Sequence, residues 1–581
     1  MAENFLSKRT EWGKTLGTLL LFVVFSIIFI YFFIRSGKLA VSVDSGFHFS
    51  RAEEIYQNLK DKQLFTFIAT HAFHGSGAGS FLFYPTVFLY PWAILRLFVE
   101  PVAAFYLWYG GMLFLTLCCA YYAMRRFAGD RLRAILFALF YTIGAYHLYL
   151  GIMNYVLGEF IAYTFLPLVF CGFYEVFFGD EKHWPVLAVG MTLIFYSHIL
   201  STVITVGTLA ILFIVTLCFK KITRNRWSAL VKACLLTLAL SAWQLLPFLT
   251  DHTKELADPP FGFWFLCSMQ EIWARSLENI ANNHGIGFAL ILAALFGWYF
   301  VKNAPKERYV YLLGIVFLIL ATDLVPYGLL NEIKSLAFLQ TIQFPYRFLA
   351  YASLFLAATL SLIFSEMLTH FKGRQKYFLC GLIIIFGLGS YFSSVLPALQ
   401  RVKNQDPAAI LAPPTDKLQI SEDGKLLTKE NYANFFKYVI TYGETDYFPK
   451  VAFSYNKILE HPKAQGIILQ KAYIDGRPQN VQTKALANAK KYYLTLGKAA
   501  KVDLPFVVYA RTKVTVDGKE VPFKVSSRGT AVLTLPKGKS VVTLRYAPPK
   551  IYYVLWGLAV ISWLSLLVIF LKNKLKSCST I

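Results

Sequence analysis

The sequence predicts an α-helical polytopic membrane protein that carries a mixed, β-rich domain near its C-terminus. Of its 581 residues, 56% are hydrophobic and only 15% are charged, whereas soluble domains carry about 25% charged residues. Long apolar runs recur between residues 15 and 397 and again at 551–572, and each is close to the roughly 20 residues that cross a bilayer core. A soluble enzyme, a disordered chain and a fibrous protein are therefore excluded.

The apolar runs, taken in order, predict about twelve transmembrane helices with both termini in the cytoplasm. They lie near 15–35, 81–98, 103–124, 133–150, 156–178, 185–200, 203–219, 229–250, 285–302, 309–328, 345–369, 377–397 and 551–572. Pro85 and Pro91 break the run at 81–98, so we expect an interfacial or re-entrant segment there. The flanking basic clusters then all face the cytoplasm. In a competing arrangement, 81–98 crosses the membrane and 185–219 forms a single span. The basic cluster at 125–133 would then lie on the outer side of the membrane.

The excess of basic residues has a largely topological explanation. The chain holds 57 Lys and Arg against 33 Asp and Glu, a formal net charge of +24. Cytoplasmic loops collect such residues, so no nucleic-acid partner is inferred. The eight cysteines form no Cys-x-x-Cys pair, so neither a disulfide framework nor a zinc site is predicted. The first run is too long for a signal-peptide core and is expected to be a retained helix.

Three parts of the chain follow from this pattern: a membrane part at 1–397 with an outer loop at 36–80, an extracytoplasmic domain at 398–550, and a final helix with a cytoplasmic tail at 551–581. In the domain, turn signals at Asp517-Gly518 and Lys537-Gly538 separate alternating runs and predict β-hairpins. The stretches 431–440 and 482–491 are interpreted as helical. Residues 401–550 hold 25 Lys and Arg against 12 Asp and Glu. This charge favours either a surface for anionic polymer or lipid headgroups or solubility alone.

The outer loop carries the strongest candidate for chemistry. In a helix over 44–59 along the membrane surface, Asp44, His48 and Arg51 share one face, while Phe47, Ile55 and Leu59 are expected on the lipid side. A carboxylate there can take a proton from an acceptor hydroxyl while the two cations hold a phosphate leaving group. The alternative is that Asp44 is an ordinary solvated helix end.

Three further residues lie at outer ends of predicted spans. Glu159 is interpreted as an acceptor-binding residue or a support for the base, or as half of a structural pair with an outer Arg or Lys. Arg347 is placed to grip a lipid phosphate, with interfacial snorkelling as the alternative. His198 is interpreted as a contact to donor phosphate or sugar, or as a hydrogen-bonded turn histidine.

No metal site is predicted, and dependence on a divalent cation is left open. His71 and His74 have a metal-like spacing but no nearby third ligand. The glycines at 75–79 do not form a nucleotide loop, because no strand precedes them and no Gly-Lys-Ser/Thr follows.

Several short motifs give the chain a family resemblance. They are the Asp44, His48, Arg51 loop, Phe83-Tyr84-Pro85, Gly158-Glu159-Phe160, Ser197-His198-Ile199-Leu200-Ser201, Gln343-Phe344-Pro345-Tyr346-Arg347 and Gly443-Glu444-Thr445-Asp446-Tyr447-Phe448-Pro449. The sequence resembles GT-C-type bacterial membrane glycosyltransferases, and more narrowly the YfhO-like branch, some members of which are labelled 6-pyruvoyl-tetrahydropterin-synthase-related. That label implies a soluble fold with a zinc site, for which no suitable His cluster is present.

The resemblance implies sugar transfer on the outer face of a bacterial cell membrane, from a polyprenyl-phosphate donor to a hydroxyl of a surface polymer such as teichoic acid or a wall glycan. By similarity, Asp44 is the base of an inverting single displacement. The residue patterns add His48, Arg51, Arg347 and His198 as candidates for binding the donor phosphate or lipid, and Glu159 and Tyr84 as candidates for serving the acceptor or supporting the base. An upstream polyprenyl-phosphate glycosyltransferase and a flippase are the implied partners. The alternatives are a transporter or flippase of a lipid-linked glycan and a non-catalytic, polymer-binding assembly subunit.

Overall fold

The computed structural model describes residues 2–251, 256, 263, 265–404, 419–420, 426–440, 443–455 and 466–579. Its α-helices are α1 (Ala2–Ser36), α2 (Ser45–Lys60), α3 (Ser80–Phe83), α4 (Tyr90–Leu95), α5 (Pro101–Ala128), α6 (Arg131–Thr142), α7 (Ala145–Leu148), α8 (Leu157–Phe177), α9 (Pro185–Phe195), α10 (Ile199–Phe219), α11 (Arg224–Asp251), α12 (Met269–Glu278), α13 (Phe288–Val301), α14 (Pro305–Leu320), α15 (Tyr327–Glu332), α16 (Leu349–Thr369), α17 (Gly373–Asn404), α18 (Tyr432–Tyr438), α19 (Lys450–Tyr455) and α20 (Lys550–Ser579). Short 3₁₀ segments cover Phe73–Gly75, Val87–Leu89, Glu181–His183, Lys334–Ile342 and Pro345–Phe348, and a π-helical turn covers Tyr149–Met153.

The strands are concentrated in the C-terminal part of the chain. They are β1 (Leu39–Ala40), β2 (Gln419–Ile420), β3 (Leu426–Leu427), β4 (Val439–Ile440), β5 (Lys471–Ile474), β6 (Arg477–Asn480), β7 (Gln482–Leu486), β8 (Ala489–Leu496), β9 (Ala500–Val507), β10 (Thr512–Val516), β11 (Lys519–Val521), β12 (Lys524–Val525), β13 (Thr530–Leu535) and β14 (Gly538–Tyr546). The predicted fold class, a helical membrane protein with a β-rich C-terminal domain, is confirmed.

Eight helices of the described chain are long and apolar enough to cross a membrane. They comprise residues 13–36 of α1, residues 345–369 ending in α16, residues 550–572 of α20, and α5, α8, α10, α11 and α17. A ninth candidate is the pair Arg131–Thr142 and Ala145–Met153, which is bent by 47°. The other three predicted spans contain helices of 11, 14 and 16 residues, namely α9, α13 and α14. The count of about twelve is therefore reached only with a bent pair and three helices shorter than a straight span.

The run at 81–98 forms no long helix. It contains parts of α3, the 3₁₀ segment Val87–Leu89 and the six-residue α4. Pro85 and Pro91 each remove a backbone donor, which limits the length of a helix through them. This broken structure agrees with the prediction that 81–98 does not cross as a regular helix.

Basic residues from separate loops meet at the ends of the helices that lie away from Asp44. Arg126, in the last turn of α5, contacts Glu175 near the end of α8 at 2.8 Å. Arg133, in the first turn of α6, contacts Glu307 in the first turn of α14 at 2.7 Å. Lys220 and Arg226 donate hydrogen bonds to backbone carbonyls at the C-terminal end of α8. One end of the helix bundle is therefore strongly basic.

The two-sheet domain, defined as β5–β14, contains two five-stranded sheets. Their strand orders are β11-β10-β14-β8-β7 and β12-β13-β9-β5-β6. Asp517 and Gly518 both have positive φ and connect β10 to its antiparallel neighbour β11, as the Asp-Gly signal predicted. The hairpin predicted at Lys537-Gly538 is wrong, because β13 and β14 belong to different sheets.

The predicted helix at 482–491 is also wrong. Its residues belong to β7 and β8, which pair antiparallel with Lys484 opposite Lys491. Along β8 the side chains alternate between buried and more exposed positions, which is the period of a strand. Asn488 makes the turn between the two strands with φ 57°. The helix predicted at 431–440 is confirmed in part as α18, which is followed by β4.

The two-sheet domain is bonded to the first loop, defined as residues 37–80. Asn488 accepts from the Phe67 N–H at 2.6 Å and donates to the Phe65 carbonyl at 2.7 Å. Tyr509 Oη accepts from the Gly79 N–H at 2.7 Å. Gly77 has φ +82°, and a Cβ there would lie 2.9 Å from the ring of Phe506. The backbone of the first loop is therefore fixed by side chains that come from more than 400 positions later in the sequence.

Glu54 of α2 holds the same loop from the opposite side. Its carboxylate accepts hydrogen bonds from the backbone N–H groups of Thr70, His71 and Ala72 at 2.7–3.0 Å. Lys490 of β8 donates to the Gly75 carbonyl at 2.9 Å. Burial lowers the pKa of Lys490 to about 7, while the charge of Glu54 opposes that shift. A buried carboxylate and a buried lysine thus clamp residues 70–75 between α2 and the two-sheet domain.

Replacement of Glu54 by Ala is expected to destabilise the protein by at least about 3 kcal/mol, because each buried donor left unsatisfied costs about 1–3 kcal/mol. Thermal unfolding in detergent measures the change. Glu278→Ala is the matched control, since Glu278 makes an exposed pair with Arg275 that is worth less than about 1 kcal/mol. Equal shifts in the two variants would contradict this account of Glu54.

Candidate functional site

Asp44 lies at the start of α2, where the first loop turns back toward the helix bundle. It occupies the N-cap position, but its side chain makes no capping hydrogen bond. The helix predicted at 44–59 is present as α2, so Asp44, His48 and Arg51 follow each other along one face. The carboxylate of Asp44 is therefore not committed to the backbone of its own helix.

The surroundings of Asp44 favour its protonated form. Burial raises its pKa to about 7, and the charges of Asp446 and Glu159 add to the shift, while Arg347 opposes it. Asp44 and the three groups whose charges shift its pKa come from four separate segments of the chain. Three carboxyl groups and one guanidinium, in Asp44, Glu159, Asp446 and Arg347, form what we term the acidic cluster.

Glu159 and Arg347 form a buried pair within the acidic cluster. Arg347 Nε donates to Glu159 Oε2 at 3.4 Å, and the Tyr146 hydroxyl donates to Glu159 Oε1 at 2.6 Å. Arg347 Nη1 also donates to the Ile342 carbonyl at 2.5 Å. Glu159 and Arg347 are 4% and 8% exposed. Arg347 is therefore held inside the protein by a carboxylate, which argues against simple snorkelling and matches the pairing considered for Glu159.

Arg51 is bonded to the backbone of the broken run at 81–98. Its Nη2 donates to the carbonyls of Tyr84, at 2.9 Å, and Pro85. Its guanidinium carbon lies 4.4 Å from the centre of the Tyr84 ring. In this structure Arg51 therefore fixes the segment that carries Tyr84.

The expectation that His48 is a cation is corrected by its surroundings. His48 is 2% exposed, and its Nδ1 accepts from Arg51 Nη1 at 3.4 Å. Burial lowers the pKa of His48 well below its usual value, and the nearby Arg51 and His198 add to the effect. His48 is therefore neutral near pH 7, and it offers hydrogen bonding rather than charge.

His198 and Tyr84 meet beside the N-terminal end of α8. His198 caps α10 by accepting from the Ser201 N–H at 3.3 Å, which matches the alternative of a hydrogen-bonded turn histidine. Its ring lies 5.7 Å from the ring of Tyr84. A Cβ at Gly158 would overlap the Tyr84 hydroxyl. Glycine is therefore needed at 158 for α8 to approach Tyr84.

Two small neighbouring cavities lie between these elements. One is lined by His48, Arg51, Tyr84, Gly158 and Ser197, among others. The second is lined by Glu159, Ser201, Arg347 and Tyr351, among others. Because Gly158 and Glu159 are consecutive residues of α8, the two cavities bring five of the seven sequence-predicted site residues to one region. His198 joins them through its contact with Tyr84, and Asp44 through the charges of Glu159 and Arg347 that act on it.

Asp446 is the residue of the acidic cluster that the sequence reasoning did not include. It follows Gly443, whose Cβ would lie 3.5 Å from the Phe47 ring. The ring of Tyr447 stacks on that of Phe47 at 6.1 Å. Burial raises the pKa of Asp446. The signal that could have found it was the acid within the motif at 443–449.

The placement of Phe47 corrects a second expectation. Phe47 was predicted on the lipid side of α2, but it is 8% exposed and lies under the segment 443–447. The helix is covered on this side by the C-terminal part of the chain, which hydrophobic periodicity within α2 does not reveal.

In the described residues, no group of three or more His, Cys, Asp and Glu side chains is arranged to hold a metal ion. The two histidines with metal-like spacing have different partners. His71 lies 3.7 Å from Asp61, and His74 lies 3.4 Å from Glu444.

The chain is similar to a solved structure of a known protein. No protein-family model and no curated protein matches the chain. The arabinofuranosyltransferase AftD from Mycobacteria is similar to it, with 12% sequence identity and a TM-score of 0.48. The similarity covers 91% of this chain and 40% of that one, so the chain spans about two fifths of the length of AftD.

The close approach at Gly158 gives a test of the site geometry. Gly158→Ala is expected to destabilise the protein by about 1–3 kcal/mol, as overpacking does, because the new Cβ meets the Tyr84 hydroxyl. Adding Tyr84→Phe removes that oxygen and should recover part of the loss in thermal unfolding. Gly111→Ala is the control, since nothing lies within 4 Å of a Cβ at that position. A loss that Tyr84→Phe leaves unchanged would contradict the packing described here.

Proposed function

We propose that this protein is a GT-C-type membrane glycosyltransferase. It transfers a sugar from a polyprenyl-phosphate donor to a hydroxyl of a surface polymer, teichoic acid or another wall glycan, on the outer face of a bacterial membrane. The observation that carries the proposal is the acidic cluster, in which the carboxylate of Asp44 makes no capping hydrogen bond and is close enough to Glu159, Arg347 and Asp446 for their charges to shift its pKa. The motif resemblance of the sequence supports the same reaction class.

Asp44 is the general base in this proposal. Its carboxylate takes the proton of the acceptor hydroxyl as that oxygen attacks the anomeric carbon. The bond from the anomeric carbon to the phosphate oxygen breaks, and the polyprenyl phosphate leaves with the electron pair, so the anomeric configuration inverts. A pKa of about 7 suits a base that works near neutral pH.

Arg347 is the cation that meets the leaving phosphate. Its guanidinium offers several donors in a fixed plane, which suits phosphate oxygens, and Glu159 orients it from the buried side. Asp446 acts on the base itself, because its negative charge adds to the raised pKa of Asp44. His48, His198 and Tyr84 supply hydrogen-bonding groups next to this position, and Arg51 holds Tyr84 in place.

The orientation follows from the basic ends of the helices. Under the positive-inside rule, the end that carries Arg126 and Arg133 faces the cytoplasm, as do both termini. Asp44 and the two-sheet domain then face outward. An enzyme that charges polyprenyl phosphate and a flippase that inverts the product would supply the donor to this side.

Asp44→Asn tests the role of the base. General-base catalysis contributes about 10²–10⁴-fold, so the transferred sugar should be lost from surface polymers of cells that carry the variant at normal membrane level. A deletion should lose the same sugar. Asp323→Asn is the control, because Asp323 is exposed and is not among the residues of the site. If Asp44→Asn cells keep the sugar while the deletion loses it, a transporter or a non-catalytic subunit becomes the better account.

The pH dependence of kcat/KM tests the electrostatics of the acidic cluster. A base with a pKa of about 7 is active above that pH, so kcat/KM should fall about ten-fold per unit as the pH drops below 7. Asp446→Asn removes a negative charge that raises the pKa of Asp44. The acidic limb of its profile should therefore move to lower pH.

Asp323→Asn should leave the limb in place. A purely structural role for Asp446 would lower kcat/KM at every pH without moving the limb, and that result would contradict the coupling to Asp44.

A further inference from the structure

The solvent-facing side of the sheet β11-β10-β14-β8-β7 carries a band of basic side chains. On β14 and β8, buried residues such as Val542 and Leu494 alternate with outward residues. Cross-strand partners share a face, so the strand register shows which residues point outward. Besides neutral residues and Glu520 of β11, the outward set includes the residues that we term the basic face: Lys484, Lys491, Tyr493, Lys513, Lys539 and Arg545.

Positive charges on the basic face are placed directly opposite each other. Lys484 pairs in register with Lys491, and Lys513 pairs with Arg545. Lys513 is neutralised by Glu520 at 2.8 Å, but no carboxylate among the described residues contacts Lys484 or Lys491. Like charges in this position destabilise a sheet. Their presence therefore favours a ligand that supplies negative charge.

The basic face is longer than the lipid headgroup layer is thick. β14 ends at Tyr546, four residues before α20 begins, so Arg545 lies at the membrane end of the strand. Lys539 is six residues away, which is about 20 Å along a strand. The headgroup layer on each side of a bilayer is only about 5–8 Å thick. A chain that stands away from the membrane fits this length better than lipid headgroups do.

Tyr493 lies in the middle of the basic face and is 37% exposed. It stands between Gln482 of β7 and Val541 of β14 in the strand register. Its ring offers a flat apolar surface with a polar edge, flanked by lysines. A polymer that alternates anionic groups with sugar or polyol units has complementary chemistry.

We propose that the basic face binds a linear anionic glycopolymer through its phosphodiester or carboxylate groups. The opposite side of β8 carries Lys490, which is bonded to the first loop at Gly75. The polymer would therefore be held on the outer surface of the same strand that helps to fix the first loop. Its identification as the acceptor rests on the proposed function, but its binding to this face does not.

The test measures binding of a fluorescent synthetic poly(glycerol phosphate) to full-length protein in zwitterionic nanodiscs. Lys484→Gln combined with Lys491→Gln should raise Kd about ten-fold at low salt and flatten its salt dependence. Its unfolding temperature should be unchanged or higher, because repulsion is removed. The control combines Lys501→Gln with Lys524→Gln, two exposed lysines of the other sheet, and should change Kd less than two-fold.

Equal weakening in the two double variants would overturn the proposal, since net charge alone would then explain binding. Unchanged binding in the Lys484/Lys491 variant would also overturn it. If the Lys484/Lys491 variant binds the polymer probe normally but associates more weakly with anionic lipid vesicles, the basic face is a membrane-binding surface instead. Asp44→Asn protein should bind the probe like the wild type, so a failure of the proposed transferase activity is separable from a failure of this surface.

Discussion

Burial of charge at one end of the helix bundle is the constraint on which the candidate site depends. Ionised groups removed from water cost several kcal/mol each unless partners compensate them. In the acidic cluster the guanidinium of Arg347 binds Glu159 and opposes the rise in the pKa of Asp44 that the charges of Asp446 and Glu159 produce. Burial is the largest cause of the raised pKa of Asp44, and the nearby negative charges add to it. The Asp44 carboxyl group therefore titrates near neutral pH.

The acidic cluster forms because segments that are distant in the sequence pack against one another. Asp446 reaches Asp44 only because the segment 443–447 covers Phe47 of α2. The two-sheet domain fixes the first loop through Asn488 and Tyr509. The carboxylate of Glu54 accepts hydrogen bonds from the backbone of the same loop at residues 70–72. The proposed reaction requires that water be excluded from the reacting atoms, and these contacts supply fixed walls around Asp44. The helix bundle and the C-terminal domain therefore form one structural unit around Asp44.

The local patterns predicted some elements and missed others for identifiable reasons. The Asp517-Gly518 turn was predictable because Asp-Gly adopts positive φ in a tight hairpin. Lys537-Gly538 gave a similar signal, yet it connects two different sheets, and no local rule distinguishes these outcomes. The stretch 482–491 was misassigned because its alternation is interrupted by the turn at Asn488. Phe47 was misplaced because its covering segment lies about 400 residues away.

Composition and apolar periodicity alone determined that this is a helical membrane protein with a β-rich C-terminal domain, since a bilayer core demands long apolar runs. They also indicated Asp44, His48 and Arg51 as neighbours on one helix, because helical spacing is local. The tertiary structure alone decided that His48 is neutral, that Arg51 binds the backbone at 84–85, and that Asp446 joins the acidic cluster. These properties depend on burial and on charges from distant segments, which act through space rather than along the sequence.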